Sequence, residues 1–311
     1  MTSYKRPKVT TDELSSWCRA SLGVPVRDVL FERGYSSAVF GVTLADDRQV
    51  VVKVRPWLER LISCGRVHRD LWERGFRCPE PLGPPEPVSA WAVSFESYVP
   101  DGEELPRGLD AAVALARVLA DLVQCAPTVA GSLEPHRGFL RWGHPGSELW
   151  PPATDIVADL NEFSEPGWIE HCAAQLRVKL TNSQLPGVVG HGDWWSDNVR
   201  WKDGQLLAVD DWDSLVVLPE AGIAGAAAAL FAGGASTIEE TDTFLRAYIA
   251  ASGRAWTDDE IRIAWAAGLW ARLFDARKET TWVSTKSAVR LAIEVEERSV
   301  RSGIETYDAA S

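Results

Sequence analysis

Cysteine is sparse here and unpatterned. Cys18, Cys64, Cys78, Cys125 and Cys172 are scattered through 311 residues, with no CxxC pair and no Cys/His metal spacing. That excludes a disulfide-stapled miniprotein and leaves reduced thiols, as expected in a cytoplasmic protein. No run of 18 apolar residues occurs, so no membrane helix is expected. The opening MTSYKRPKVTTDE lacks the apolar core of a signal peptide. GxxxxGK[ST] and GxGxxG are both missing, which removes P-loop and dinucleotide-fold readings. No repeat of 20–50 residues is evident. Basic residues are in deficit, 32 Lys and Arg against 44 Asp and Glu, a formal charge of −12. Such a balance argues against nucleic acid as a partner.

What is present fits a soluble globular chain, with 46% hydrophobic and 24% charged residues. A length of 311 residues suggests about two domains. Tryptophan is abundant, 15 residues against 9 Phe and 5 Tyr. The charge is uneven. Residues 1–97 carry 14 basic and 12 acidic side chains, net +2, and residues 98–311 carry 18 and 32, net −14.

The first third reads as strands around one helix. Val26–Phe31, Ala38–Leu44 and Gln49–Val54 are short β-rich runs, Trp57–Arg74 is helical, and Trp91–Tyr98 is a further strand. The Pro100-Asp101-Gly102 break coincides with the change in charge and marks the expected boundary between domains 1–97 and 98–311. Beyond it, helices are expected at Leu109–Val123, Ile169–Leu180, Ala221–Phe231, Ile238–Ala251, Asp258–Lys278 and Lys286–Glu297, with residues 131–157 as loop. The class is α+β.

The chemistry concentrates in VVGHGDWWSDNVRWKDGQLLAVDDWDS, residues 188–214. Asp203-Gly204 is a two-residue hairpin signal between Val199–Lys202 and Gln205–Val209. Closing that turn makes Asn198 and Asp211 diagonal cross-strand neighbours, roughly 7–8 Å apart at Cα. An amide oxygen and a carboxylate so placed can share Mg²⁺, which takes its remaining ligands from water or phosphates. Asp193 lies five residues before Asn198, within reach of the same place. The spacing D-x-x-x-x-N with a later Asp is that of phosphoryl-transfer loops.

His191-Gly192-Asp193-Trp194-Trp195-Ser196-Asp197-Asn198 resembles the HGDxxxxN motif of the aminoglycoside phosphotransferase family of small-molecule kinases. Val209-Asp210-Asp211-Trp212-Asp213 resembles the family's following aspartate motif. The resemblance implies a protein-kinase-like two-lobed fold, with a β-rich nucleotide lobe and a mainly helical catalytic and acceptor lobe. By the same resemblance Asp193 is the catalytic aspartate, and Asn198 and Asp211 are the metal ligands. Lys53 is the phosphate-binding lysine of the third strand. Gly34 and Ser36 belong to the nucleotide loop, and Glu96 and Tyr98 to the adenine-binding hinge. His191 is structural. The implied cofactors are ATP, with GTP an alternative, and Mg²⁺. The implied partner is a small hydroxyl-bearing acceptor, and the protein a monomer or homodimer.

Three features depart from the family pattern. The helix after Lys53 offers only Glu59 and Asp70 as weak candidates to pair with that lysine. Asp197 stands where glycine is frequent. The helix after the aspartate motif lacks a usual acidic residue. Taken alone, Lys53 also reads as an exposed strand lysine and Gly34–Ser37 as an ordinary hairpin loop. Asp213 reads as a third metal ligand or as a solvated or capping carboxylate. Trp265, Trp270 and Trp282 read as core packing or as an acceptor wall, and one of Trp194 and Trp195 as packing under the loop.

The acidic second lobe favours a cationic, amine-bearing acceptor, or serves solubility. The Trp-Ser pair of HGDWWSDN is similar to the ketosamine-kinase variant of the motif, which keeps open a metabolic kinase for an amino sugar, ketosamine, homoserine or choline-like acceptor. A nucleotide-binding pseudokinase is the reading from another class.

Overall fold

The computed structural model describes residues 6–34, 37–128, 133–152, 158–162, 166–233, 236–281 and 284–307. The chain divides into two compact units. One holds the described residues of Met1–Glu103, Val129–Leu133 and Arg200–Asp213; the other holds those of Glu104–Thr128, Glu134–Val199 and Ser214–Ser311. The first unit therefore runs six residues past position 97 and takes in a hairpin from far along the chain. Counted on these units, the charge is 16 basic against 18 acidic, net −2, and 16 against 26, net −10. The second unit keeps the acidic excess, and the first has no positive balance.

The first unit begins with helix α1, Thr11–Leu22, which the sequence reading did not anticipate. Its signal was the capping box Thr10-x-x-Glu13, in which each side chain satisfies the other residue's backbone N–H. Strands β1 (Val26–Arg33), β2 (Ala38–Leu44) and β3 (Gln49–Pro56) follow, then helix α2 (Arg60–Glu73) and strands β4 (Glu86–Val88) and β5 (Trp91–Ser97). The sheet order is β1-β2-β3-β5-β4, and its pairings are antiparallel.

Strand alternation gives this sheet two unlike faces. Val50, Val52, Val54, Val93 and Phe95 form one buried cluster with Leu14 and Cys18 of α1. The opposite face carries Lys53, Arg55, Ser94 and Glu96, which line a cleft together with Leu61, Cys64 and His68 of α2.

The second unit is mainly helical, with α3 (Leu109–Cys125) and α4 (Gly167–Thr181) before strand β6 (Gly187–His191). Next in the chain come the hairpin strands β7 (Val199–Lys202) and β8 (Gln205–Val209), which from Arg200 on belong to the first unit. Their turn residues Asp203 and Gly204 both have positive φ, 50° and 72°, as the mirror-image turn of a twisted hairpin requires. Strand β9 (Leu215–Pro219), also not anticipated, pairs antiparallel with β6. Helices α5 (Glu220–Leu230), α6 (Ile238–Ser252), α7 (Asp258–Thr280) and α8 (Lys286–Ser302) complete the unit.

Helix α5 is buried from Ala221 to Leu230 and lies against α7. Contact is so close that a Cβ on Gly225 would overlap the Ala264 carbonyl. Trp265 and Trp270 are core residues of α7, and Trp150 lies 5.2 Å from Trp270, ring to ring. Trp282 lies outside the described residues. No helix among the described residues is long and apolar enough to cross a membrane.

Candidate functional site

The first unit gathers buried charge on the polar sheet face. Lys53 Nζ lies 2.9 Å from Glu96 Oε1, each side chain 10% exposed. Val51 pairs with Glu96 and Lys53 with Ser94 across β3 and β5, so Glu96 is the diagonal neighbour of Lys53 on one face. Burial opposes the ammonium, and Glu96, Asp211 and Asp213 outweigh it, holding its pKa above the ordinary lysine value.

Arg55, two residues on and therefore on the same face, forms an ion pair with Asp213 and donates from Nη2 to Ser94 Oγ at 2.6 Å. Arg60 Nη1 and Cys64 Sγ both donate to the Asp213 carbonyl. Despite burial, the neighbouring Arg55 guanidinium and Lys53 ammonium keep the Asp213 carboxyl below the usual range. It is thus an ion-paired carboxylate, neither solvated nor a cap. Asp211 takes a left-handed backbone, φ 63°, a conformation aspartate accepts better than most side chains. Asp210 is tied to Arg200 at 2.7 Å.

Helix α2 brings no carboxylate to Lys53 in these contacts. Glu59 is exposed, and the Asp70 carbonyl caps the helix end by accepting from the Arg74 N–H. His68 occupies the inner face of α2, stacked on Trp212 with ring centroids 4.9 Å apart and 2.8 Å from the Pro79 carbonyl. Burial pushes its pKa down to about 3, so the ring is neutral.

The expected hinge is partly engaged in the fold. Tyr98 N–H donates to the Gln49 carbonyl, and the Val99 carbonyl accepts from Arg200 at 2.7 Å. Gly34 has φ 110°, and a Cβ there would strike the Ser37 carbonyl, so the turn requires glycine. Ser36 lies outside the described residues.

The second unit holds the loop between β6 and β7. Asp193 is paired with Arg137, the two side chains 15% and 29% exposed. Its backbone N–H donates to His191 Nδ1 at 3.3 Å. Asn198 Nδ2 donates to the Asp193 carbonyl at 2.8 Å, which leaves Asn198 Oδ1 as the atom available to a cation. His191 is 1% exposed and lies edge-on to Trp194, in keeping with a structural role. Trp194 Nε1 donates to the Leu115 carbonyl, which places Trp194 beneath the loop. Trp195 is half-buried and packs on Ala229, Leu230 and Ala271 beside Phe139.

Asn198, in the second unit, and Asp211, in the first, each carry an oxygen donor of the kind a hard cation takes. Among the described residues no three His, Cys, Asp or Glu side chains gather into a metal cage. Arg137 was missed by sequence reasoning because it lies in a stretch read only as loop. Arg55 could have been found from its two-residue spacing to Lys53.

A sheet with a buried lysine–carboxylate pair, an aspartate-rich strand exit and an HGDxxxxN loop define a small-molecule phosphotransferase of protein-kinase-like fold. Residues 29–263 match the model of the phosphotransferase enzyme family, APH, and the chain belongs to that family. A search of curated proteins finds no match.

Among solved structures, the fold is similar to amicoumacin kinase hAmiN in complex with AMP-PNP, Ca²⁺ and Ami, at 13% identity and TM-score 0.67, covering 94% of this chain and 96% of that one. It is similar to a thermostable variant of aminoglycoside phosphotransferase APH(4)-Ia in ternary complex with AMP-PNP and hygromycin B, at 16% identity and TM-score 0.62, covering 94% and 99%. A Thermobifida fusca protein carrying a provisional fructosamine-3-kinase label matches at 19% identity and TM-score 0.51, covering 90% and 99%.

Proposed function

We propose that the protein transfers the γ-phosphoryl group of ATP, with Mg²⁺, to a hydroxyl of a small amine-bearing acceptor such as an aminoglycoside or amino alcohol. The observation that carries this reading is the arrangement around Asp193. Its carboxylate is held by Arg137 and its backbone by His191 and Asn198. Phosphoryl transfer depends on positioning and charge stabilisation more than on covalent chemistry, and a braced carboxylate suits that need.

In this reading Asp193 orients the acceptor hydroxyl and takes its proton as the new O–P bond forms and the bond to the ADP oxygen breaks. Lys53 holds phosphate oxygens, and the Gly34 turn with Ser36 covers them. The Tyr98 carbonyl and Val99 N–H offer the edge for adenine. Asn198 through Oδ1 and Asp211 through its carboxylate would each be a donor for Mg²⁺, which when bound would neutralise charge on the phosphates. The first unit serves the nucleotide and the second the acceptor. A net charge of −10 on the second unit raises the local concentration of cationic acceptors.

The half-buried Trp195, next to Ser196 in the loop, keeps a metabolic acceptor such as a ketosamine as the second reading. The pseudokinase alternative rested on a lysine without a partner, and Glu96 fills that place. ATP consumption with Mg²⁺, measured against aminoglycosides, amino sugars, ketosamines and choline-like alcohols, tests the reading. Turnover with the amine-bearing antibiotics supports it, turnover with ketosamines alone favours the second reading, and no turnover with any of them contradicts both. GTP run in parallel identifies the donor.

A further inference from the structure

The lysine of the nucleotide site is held from within its own sheet. Lys53 and Glu96 lie on hydrogen-bonded neighbours, β3 and β5, and the register sets them diagonally on one face. Side chains at that separation meet without distortion of the backbone. Ser94, directly opposite Lys53, is small and is occupied by Arg55, so it does not compete for the ammonium. The neighbouring cation Arg55 has its own carboxylate, Asp213. Each buried cation on this face is therefore matched to a different acid.

Helix α2, across the cleft, contributes Leu61, Cys64 and His68, none of which carries charge. A lysine ammonium has three donors. Glu96 occupies one and leaves two for phosphate oxygens.

We propose that Glu96 is the positioning residue of Lys53: from β5 it holds the ammonium in place and aimed, so that the phosphate grip is built by the sheet and does not depend on where α2 stands. This rests on the nucleotide reading above, and it differs from a hinge role for Glu96, in which the residue would serve the adenine.

Calorimetric titration of Mg·ATP and, separately, of adenosine into the full-length wild type, Glu96→Gln, Lys53→Met and the double variant separates these roles. Loss of one hydrogen bond to a charged group corresponds to about 10- to 100-fold in affinity. We expect Glu96→Gln to weaken Mg·ATP by that factor and to leave adenosine unchanged. In the Lys53→Met background the same substitution should cost nothing further, because it acts only through the lysine.

Equal weakening of adenosine and Mg·ATP, an undiminished loss in the Lys53→Met background, or unchanged Mg·ATP affinity overturns the role of Glu96 while the nucleotide reading stands. A wild type that binds no Mg·ATP overturns both. If Glu96→Gln does not fold, Glu96→Asp keeps the charge on a shorter arm. It should show a smaller loss confined to Mg·ATP, and a loss shared with adenosine overturns the proposal.

Discussion

The first unit sets its charged groups on strands, and the second sets its central carboxylate on a loop. In the first, Lys53, Arg55 and Glu96 sit at alternate positions of β3 and β5, and sheet register decides who meets whom. In the second, Asp193 is placed by several contacts from different directions: Arg137 on the carboxylate, His191 and Asn198 on the backbone, and the Trp194 indole anchored below. The loop in turn stands on helices packed at glycine distance, α5 on α7. Damage to the first arrangement should be read in nucleotide grip, and damage to the second in turnover or in the stability of its helical support.

The largest stability effect is expected where the second unit is tightest. Gly225→Val places side-chain atoms where the Ala264 carbonyl now stands. Because backbone must move, the cost should reach about 3 kcal/mol or more, measurable by chemical denaturation. A cost comparable to a surface substitution would show that the α5–α7 contact is not a rigid support.

A smaller effect is expected in the first unit, from His68. Its folded pKa of about 3 lies below the unfolded value of about 6.5. The folded state excludes a proton that the unfolded chain takes up, so this contribution is full above pH 6.5 and is lost as pH falls toward 3. Between pH 7 and pH 5 the wild type should lose about 2 kcal/mol from this group, and His68→Gln should lack that part of the slope. Parallel pH profiles for the two proteins would show the imidazole to be solvated.

The smallest effect belongs to an exposed pair of the same unit. Lys202 and Asp101 lie 2.9 Å apart but are 54% and 64% exposed, and screened surface pairs contribute little. Lys202→Ala should leave the melting temperature unchanged. A clear drop would mean that burial does not separate the ion pairs that matter from those that do not.

Much of this organisation is legible in the sequence where local chemistry fixes it. The hairpin of β7 and β8 follows from Asp203-Gly204, because few residues accept two left-handed conformations in succession. Helices α5 to α7 follow from their composition and, for α6 and α7, from threonine–glutamate capping boxes. The site motif is legible because its spacing is compact. The partner of Lys53 was not. The chain reaches α2 directly after β3, whereas Glu96 becomes a neighbour only once β5 inserts beside β3. Arg137 was hidden for a related reason, since nothing in its own segment marks it and its role arises from meeting Asp193, 56 residues later. Helix α1 is legible in its capping box and in the spacing of Leu14 and Cys18. Contacts set by tertiary pairing leave no periodic trace, and the two least visible residues are the ones that brace Lys53 and Asp193.

The central claim is a division of labour, with nucleotide held through Lys53 and transfer governed by Asp193. The most direct test is Asp193→Ala, with kcat on the acceptor found by screening and Mg·ATP affinity measured on the same preparation. The account predicts a fall in kcat of about 10²- to 10⁴-fold or more with Mg·ATP affinity unchanged. Turnover that survives the substitution, or a nucleotide affinity that falls in step with turnover, would contradict it.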